Sequence, residues 1–287
     1  MKVAIVQFKP RKGDVAANFA ELQRHFAQIA AAEPAYELVV LPEAAMTGYF
    51  LEGGVYELAI AAADFAAKVA ATWHAAAGGR GVDVVAGFYE NAGGTFYNSA
   101  AYVQIGPADH RIVHVHRKMF LPTYGVFDEE RFLSRGRRLR AFDTRFGRMA
   151  VLICEDAWHA LLPTLVAIDG ARVLIVPSAS PGRGLAEGGE LESVLQWRSV
   201  LRSYAVEHGV FVIYAGLAGF EGGKGMTGSS SVIDPFGNTL VSAPALGAHL
   251  LSAELDDAEI DIARARLPLL GDLAAVLPDL LASDAIL

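Results

Sequence analysis

Met149-Ala-Val-Leu-Ile-Cys154-Glu-Asp-Ala-Trp158 is the stretch on which the reading of this chain turns. Five apolar residues, Met149 to Ile153, have the length and composition of a buried strand. The run ends on the only cysteine in 287 residues, and two acids, an alanine and a tryptophan follow. Apolar spacing then turns helical from Ala157 to Ile168, so a strand over Arg148–Cys154 feeds a helix. A lone cysteine closing an apolar strand is ordinarily a small buried hydrophobe. Its neighbours argue otherwise. A Glu-Asp pair is an odd continuation of a merely structural strand, and a helix N-terminus beside the thiol favours the thiolate. Cys154 is therefore a candidate nucleophile.

The same alternation of strand and helix extends in both directions. N-terminal to this stretch, strands are predicted over Lys2–Phe8, Leu38–Leu41 and Val82–Glu90, with Ala-rich helices over Val15–Ala31 and Val55–Ala77. Tyr97–Ile105 and Arg111–His116 read as hairpin partners across Gly106-Pro107. Met119–Arg138 has no clean period and reads as an ordered loop with one helical turn; Leu139–Asp143 is the strand before Phe146-Gly147. C-terminal to it come strands at Val173–Val176, Val210–Ala215, Ser230–Asp234, Thr239–Ser242 and Leu250–Leu255, and helices over Glu190–Glu207 and Asp256–Arg266. Strands outnumber helices, with no repeat and no linker. One α/β domain over residues 1–287 is the economical reading, with a mixed sheet or two packed sheets and helices outside. The last twenty residues are apolar and poorly patterned, and packing on another subunit is one use for them.

Composition narrows the function class. Over half the residues are apolar and a fifth charged, which supplies a large core. A net charge of −8 argues against an extended nucleic-acid surface, and the basic cluster from Arg131 to Arg148 reads as a solvated face. One cysteine permits no intrachain disulfide and fits a reducing compartment. Met1–Pro10 lacks a signal-peptide pattern, and no run of about eighteen apolar residues offers a membrane span. A cytoplasmic location is expected.

Two further residues end predicted strands in the same manner as Cys154. Glu43 closes Val39-Val-Leu-Pro-Glu43, where it is an N-cap, a solvated carboxylate, or a general base whose pKa burial raises towards neutrality. Lys118 closes the strand carrying His114 and His116, where it is a surface lysine or a fixed cation beside a thiolate and a developing oxyanion. Together the three make a workable machine: Glu takes the thiol proton, Cys attacks, and Lys holds the negative charge. Neither a metal nor another cofactor is required.

At these residues the sequence resembles the nitrilase superfamily of carbon–nitrogen hydrolases. Lys2–Gln7 resembles the family's opening strand. Leu41-Pro-Glu43 with Thr47-Gly-Tyr49 resembles the segment of its catalytic glutamate, Arg117-Lys118-Met-Phe-Leu-Pro122 that of its lysine, and Val151–Asp156 that of its nucleophile. Gly228–Ser231 and Asp234–Gly237 resemble its later strand and turn. The resemblance implies a four-layer α-β-β-α sandwich and a homodimer or larger homo-oligomer. It implies a Glu43–Lys118–Cys154 triad, and a second glutamate supporting the lysine, Glu129 or its neighbour Glu130. It also implies an oxyanion contact from the backbone N–H of Glu155. Cys154-Glu-Asp-Ala-Trp158, with Pro122–Glu129, is similar to the glutaminase domain of glutamine-dependent NAD synthetases and to related amidases. True nitrilases usually carry Trp directly after the cysteine, where Glu155 stands here, and many members carry Asn where this chain has Gly216. No nucleotide-binding second domain is expected. The implied reaction is hydrolysis of a small carboxamide through a thioester, with water as co-substrate. An N-carbamoyl substrate, acyl transfer to an amine, or a catalytically silent binding protein are the alternatives.

Tyr49, Tyr124 and Trp158 are aromatic candidates for the substrate pocket. Ser178 and Ala179, at the end of the strand after the nucleophile helix, lie where α/β sheets bind ligands. Gly219–Gly228 is a near miss for a phosphate loop and reads as a flexible loop. His114 and His116 share a strand face, but without a third ligand they are expected to be ordinary strand residues.

Overall fold

The computed structural model describes residues 1–282. Its layers follow from strands that are apolar on both faces. In β1 (Lys2–Gln7), Val3 and Ile5 enter one buried cluster while Ala4 and Val6 enter another. The same split recurs in β2 (Leu38–Val40), β3 (Val82–Ala92) and β4 (Thr95–Ile105), for example Tyr102 against Ala101 and Val103. Successive side chains point to opposite faces, so such a sheet must be covered twice. With β5 (His110–Arg117) and β14 (His249–Glu254) these strands form a six-stranded sheet in the order β14-β1-β2-β3-β4-β5.

Helices α1 (Val15–Ala30) and α3 (Ala62–Ala77) cover its outer face through Leu22, Phe26, Phe65 and Trp73. Asp14 caps α1 by accepting from the Ala17 N–H at 3.0 Å. The inner face meets a second six-stranded sheet. Its strands are β6 (Phe142–Thr144), β7 (Gly147–Val151), β8 (Val173–Ser178), β9 (Phe211–Gly216), β12 (Ser231–Ile233) and β13 (Thr239–Ser242), in the order β13-β12-β9-β8-β7-β6. Helices α4 (Leu161–Ile168) and α5 (Glu192–His208) close the far side through Leu162, Val166, Trp197 and Leu201. The result is the α-β-β-α sandwich that the resemblance implies.

Three local readings are corrected. The helix expected over Val55–Ala77 is two: α2 (Val55–Leu58) ends at Ala59, and α3 starts at Ala62. Between them the Ile60 N–H donates to the Tyr89 carbonyl, and the Ile60 carbonyl accepts from Asn91. Strand β3 captures the chain there, which an alanine-rich period cannot announce. Gly219–Gly228 is mostly a hairpin, not a flexible loop: β10 (Ala218–Glu221) pairs with β11 (Lys224–Thr227) across Gly222-Gly223. Finally, β7 stops at Val151, Cys154–Trp158 form a 3₁₀ turn, and the helix proper begins only at Leu161.

Helices α6 (Asp257–Arg266) and α7 (Leu269–Leu281) end the described chain. The last twenty residues thus begin as a helix that touches α4 and α5, while 283–287 lie outside the described residues. No helix among the described residues is long and apolar enough to cross a membrane.

A close approach that bears on the Glu43 segment is at Gly87 in β3. A Cβ there would stand 2.6 Å from the Glu43 Cα and 2.7 Å from the Ala44 nitrogen. Gly87→Ala is therefore expected to push the Glu43 segment off β3 and destabilise the fold by about 1–3 kcal/mol. Thermal unfolding of the variant, with turnover measured alongside, checks this.

Candidate active site

Glu43, Lys118 and Cys154 come from three different strand ends, and the packing of the two sheets brings those ends together. Glu43 follows β2 by three residues. The Leu41 N–H donates to the Val85 carbonyl and the Gly87 N–H to the Pro42 carbonyl, so this segment continues the sheet beyond its last regular pair. Ala44 then turns with φ of 50°, a conformation costly for a residue with a Cβ. Lys118 continues β5, with its N–H on the Asn98 carbonyl at 2.8 Å. Cys154 opens the 3₁₀ turn with φ of 46°. The strained backbone thus lies next to Glu43 in one turn and at Cys154 itself in the other.

The charges are fully enclosed. Lys118 Nζ donates to Glu43 Oε1 at 2.8 Å and to Glu129 Oε1 at 2.7 Å. Both side chains of the Glu43–Lys118 pair are inaccessible to water. Glu43 Oε1 also accepts from Asn98 Nδ2 at 2.7 Å, and its Oε2 accepts from the Ala179 N–H at 2.7 Å. Glu129 Oε1 takes the Tyr49 hydroxyl as well, while Glu129 Oε2 is buried without a partner. Glu130 turns outward and pairs with Arg135. Of the two glutamates left open by the sequence, only Glu129 reaches the lysine.

Burial sets the proton positions. It pushes Glu129 up to about 7, against the pull of Lys118 and with the help of the Glu43 charge. One ammonium facing two carboxylates leaves Glu129 the less stabilised of the pair, with no donor on its Oε2. Lys118 is held well above its usual range: burial acts against its charge, but Glu129 and Glu43 outweigh it. The Cys154 thiol is pushed far up, first by burial and then by the Glu43 charge. This corrects the expectation of a thiolate favoured by a helix N-terminus. A single 3₁₀ turn supplies little dipole, and desolvation beside a carboxylate opposes ionisation.

The remaining residues fall into distinct places. Ser178 is buried at the end of β8 with no hydrogen bond of normal geometry, close enough to Cys154 and Tyr214 to ease proton loss from each. Ala179 meets Glu43 through its backbone rather than facing a ligand with its side chain. Tyr49 is buried behind the lysine with its hydroxyl on Glu129, and its ring borders a cavity of 320 Å³ shared with Phe50, Phe127 and Glu129. Tyr124 is half-exposed and donates to Glu155 Oε2 at 2.9 Å. Trp158 packs on Trp197 at 4.5 Å, a place in the core more than in a pocket.

Two residues to which the sequence reading gave no role organise the cluster. Asn98 in β4 links Glu43 from the side; a polar pair, Asn98-Ser99, inside a buried strand was the available signal. Asp156 is completely buried and accepts from the backbone N–H groups of Met119, Phe120 and Ile153 at 2.9, 3.0 and 3.2 Å. Its Oδ2 also meets His116 Nε2 at 2.8 Å, so His116 belongs to this tie and not to a metal site. Asp156 thereby fastens the nucleophile turn to the lysine segment. Gly216 has its own reason: a Cβ there would collide with the Gly228 carbonyl, so an Asn at this position is excluded by the backbone path.

The profile of the carbon-nitrogen hydrolase family matches residues 2–265. This chain belongs to that family. Among similar carbon–nitrogen hydrolases and relatives, a glutamine-dependent NAD(+) synthetase of Xylella fastidiosa is 30% identical over 254 residues, covering 88% of this chain and 44% of the synthetase. The chain thus spans less than half the length of the synthetases it matches. A citrullinase of Francisella tularensis is 26% identical over 268 residues, covering 91% of this chain and 90% of that one. The structure of a carbon-nitrogen hydrolase from Helicobacter pylori G27 superposes with a TM-score of 0.83 at 23% identity, covering 99% of each chain. The family and fold place this chain in the nitrilase superfamily.

Two outcomes test the geometry. Asp156→Asn places an amide against backbone N–H donors and is expected to cost about 1.5–3 kcal/mol, read by urea unfolding. The thiol is expected to stay protonated through about pH 9, so the thiolate absorbance band, taken against Cys154→Ser, should be absent below that point. A step near neutral pH would contradict the buried-thiol geometry.

Proposed function

We propose that the protein hydrolyses a small carboxamide to its acid and ammonia, through a thioester on Cys154. The observation that carries the reading is the enclosed ammonium of Lys118 between Glu43 and Glu129, close enough to Cys154 for these charges to act on the thiol. Because the resting thiol keeps its proton, attack and deprotonation are coupled. Glu43 takes the proton as sulfur adds to the amide carbon, and the carbonyl oxygen becomes the oxyanion. Lys118 and the backbone N–H of Glu155 hold that charge where water is excluded. Collapse breaks the C–N bond, and Glu43 returns the proton to the leaving ammonia. Water, deprotonated by Glu43, then cleaves the thioester and frees the thiol. Glu129 orients Lys118 throughout, and Tyr49 orients Glu129.

The glutamine-dependent relatives favour a carboxamide, since glutamine carries one. The citrullinase, matched over nearly its whole length, favours a second reading in which the substrate is a ureido compound and the enzyme intermediate a carbamoyl thioester. Tyr124 and Ser178 remain the proposed surroundings of the substrate, with Trp158 packed behind them and Ala179 acting through its backbone. Self-association as a homodimer or larger belongs to the same reading, supported by exposed Leu161 and Leu165 on α4 and Leu195 on α5. A cytoplasmic location is likewise proposed, from the single cysteine.

Ammonia release across a panel of amides and ureido compounds tests this. Cys154→Ala is expected to retain less than about one ten-thousandth of the wild-type rate. Glu43→Gln is expected to lose about a hundredfold to ten-thousandfold. Mass spectrometry should find the acyl group on Cys154. Carbon dioxide released with the ammonia would select the ureido reading, and turnover surviving Cys154→Ala would end both.

A further inference from the structure

A second cavity, of 540 Å³, lies along β5 on the far side of the lysine segment. Five guanidinium groups border it, from Arg117, Arg135, Arg137, Arg138 and Arg140, together with His114. The protein as a whole carries a net charge of −8, so this concentration runs against its background. Two of the five are already neutralised. Arg117 grips Glu90 with two bonds, at 2.7 and 2.8 Å, and Arg135 pairs with Glu130. Glu90, the one carboxylate bordering the cavity, is spent on Arg117 and on the Ser99 hydroxyl at 2.8 Å. Among the described residues, Arg137, Arg138 and Arg140 have no carboxylate partner.

His114 adds an independent observation. It is nine-tenths buried, stacked on Phe142 at 4.3 Å, and its Nε2 has no hydrogen-bond partner. Burial, with the charges of His116 and Arg140, lowers it to about 3, so it stands neutral beside the arginines. The wall therefore offers unpaired donors and an uncompensated charge, in a space within the ~300–1,000 Å³ usual for small ligands.

We propose that this cavity is a second ligand site, separate from the Cys154 pocket, that binds the phosphoryl group of a small phosphorylated molecule. Several guanidinium forks match the charge and the acceptor-rich geometry of a phosphoryl group better than those of a single carboxylate. The volume exceeds that of phosphate alone and leaves room for the rest of the molecule. The site abuts the proposed catalytic lysine. Gly136, between Arg135 and Arg137, donates its N–H to the Lys118 carbonyl at 2.8 Å, and a Cβ there would strike the Arg117 carbonyl. A ligand that draws in Arg137 and Arg138 thus pulls on the backbone of Lys118.

Calorimetric titration of the full chain with sodium pyrophosphate is the test, with inorganic phosphate, AMP and ATP as parallel probes to separate an inorganic from a nucleotide source. Saturable one-to-one binding is expected, weakening as salt rises. The triple variant Arg137→Gln, Arg138→Gln, Arg140→Gln should raise the dissociation constant at least about tenfold. Its circular dichroism should be unchanged. No saturable binding by any of the four probes overturns the proposal, as does binding that the triple variant leaves intact. Tighter, length-dependent binding of a single-stranded oligonucleotide also overturns it, in favour of a nucleic-acid surface. The binding arm is independent of the proposed hydrolysis. A second arm rests on that reading: pyrophosphate should change kcat/KM in the wild type and not in the triple variant, and an unchanged rate at saturation would refute communication through Gly136.

Discussion

The ion cluster of Lys118 with Glu43 and Glu129 is the constraint to which the rest of the structure answers. Three ionisable side chains sit where water does not reach, and each would cost several kcal/mol to bury alone. They are tolerable together because the ammonium is within hydrogen-bond distance of both carboxylates, and Glu43 finds further donors in Asn98 and the Ala179 backbone. Removing one member leaves the others uncompensated, at a cost of about 3–5 kcal/mol. Such a cluster is expensive as a structural device. It is economical as chemistry, because a fixed ammonium and a fixed carboxylate need no reorganisation when a charge develops between them.

Rigid support explains how that arrangement persists. Glu43 and Lys118 continue buried strands and Cys154 follows the end of β7, so these backbones are set by the sheets. Two of the turns that follow, at Ala44 and Cys154, place a non-glycine residue at positive φ. That strain persists only where the surroundings over-determine it. Here the surroundings are Gly87, which lets β3 press against Glu43, and Asp156, which gathers three backbone donors from two segments. The thiol is thereby held protonated beside its proposed base.

The proximity of the arginine-lined cavity to Lys118 follows from the same economy. A segment that leaves the ion cluster after Glu129 must return to the sheet, and it does so by laying Gly136 on the end of β5. Whatever side chains follow Gly136 are then displayed on the reverse side of the lysine. In this chain they are arginines with few acidic partners.

Much of this was legible in the sequence. The apolar strands read over Lys2–Phe8, Leu38–Leu41 and Arg148–Cys154, the order Glu43–Lys118–Cys154 and the family resemblance are local properties, written in runs of adjacent residues, and they pointed to the architecture and the chemistry class. The tertiary structure alone decided the rest. The break at Ile60 exists because β3 offers a hydrogen-bonding edge there, and the glycine-rich segment at Ala218–Thr227 is a hairpin because its two halves pair in register. The choice of Glu129 over Glu130 is a matter of which carboxylate faces inward on one short turn. The roles of Asn98 and Asp156, and the high thiol pKa, depend on which groups meet across the sandwich. Sequence periodicity records which face of an element is buried; it carries no record of what waits on the other side, and desolvation and hydrogen-bond partnership are set there.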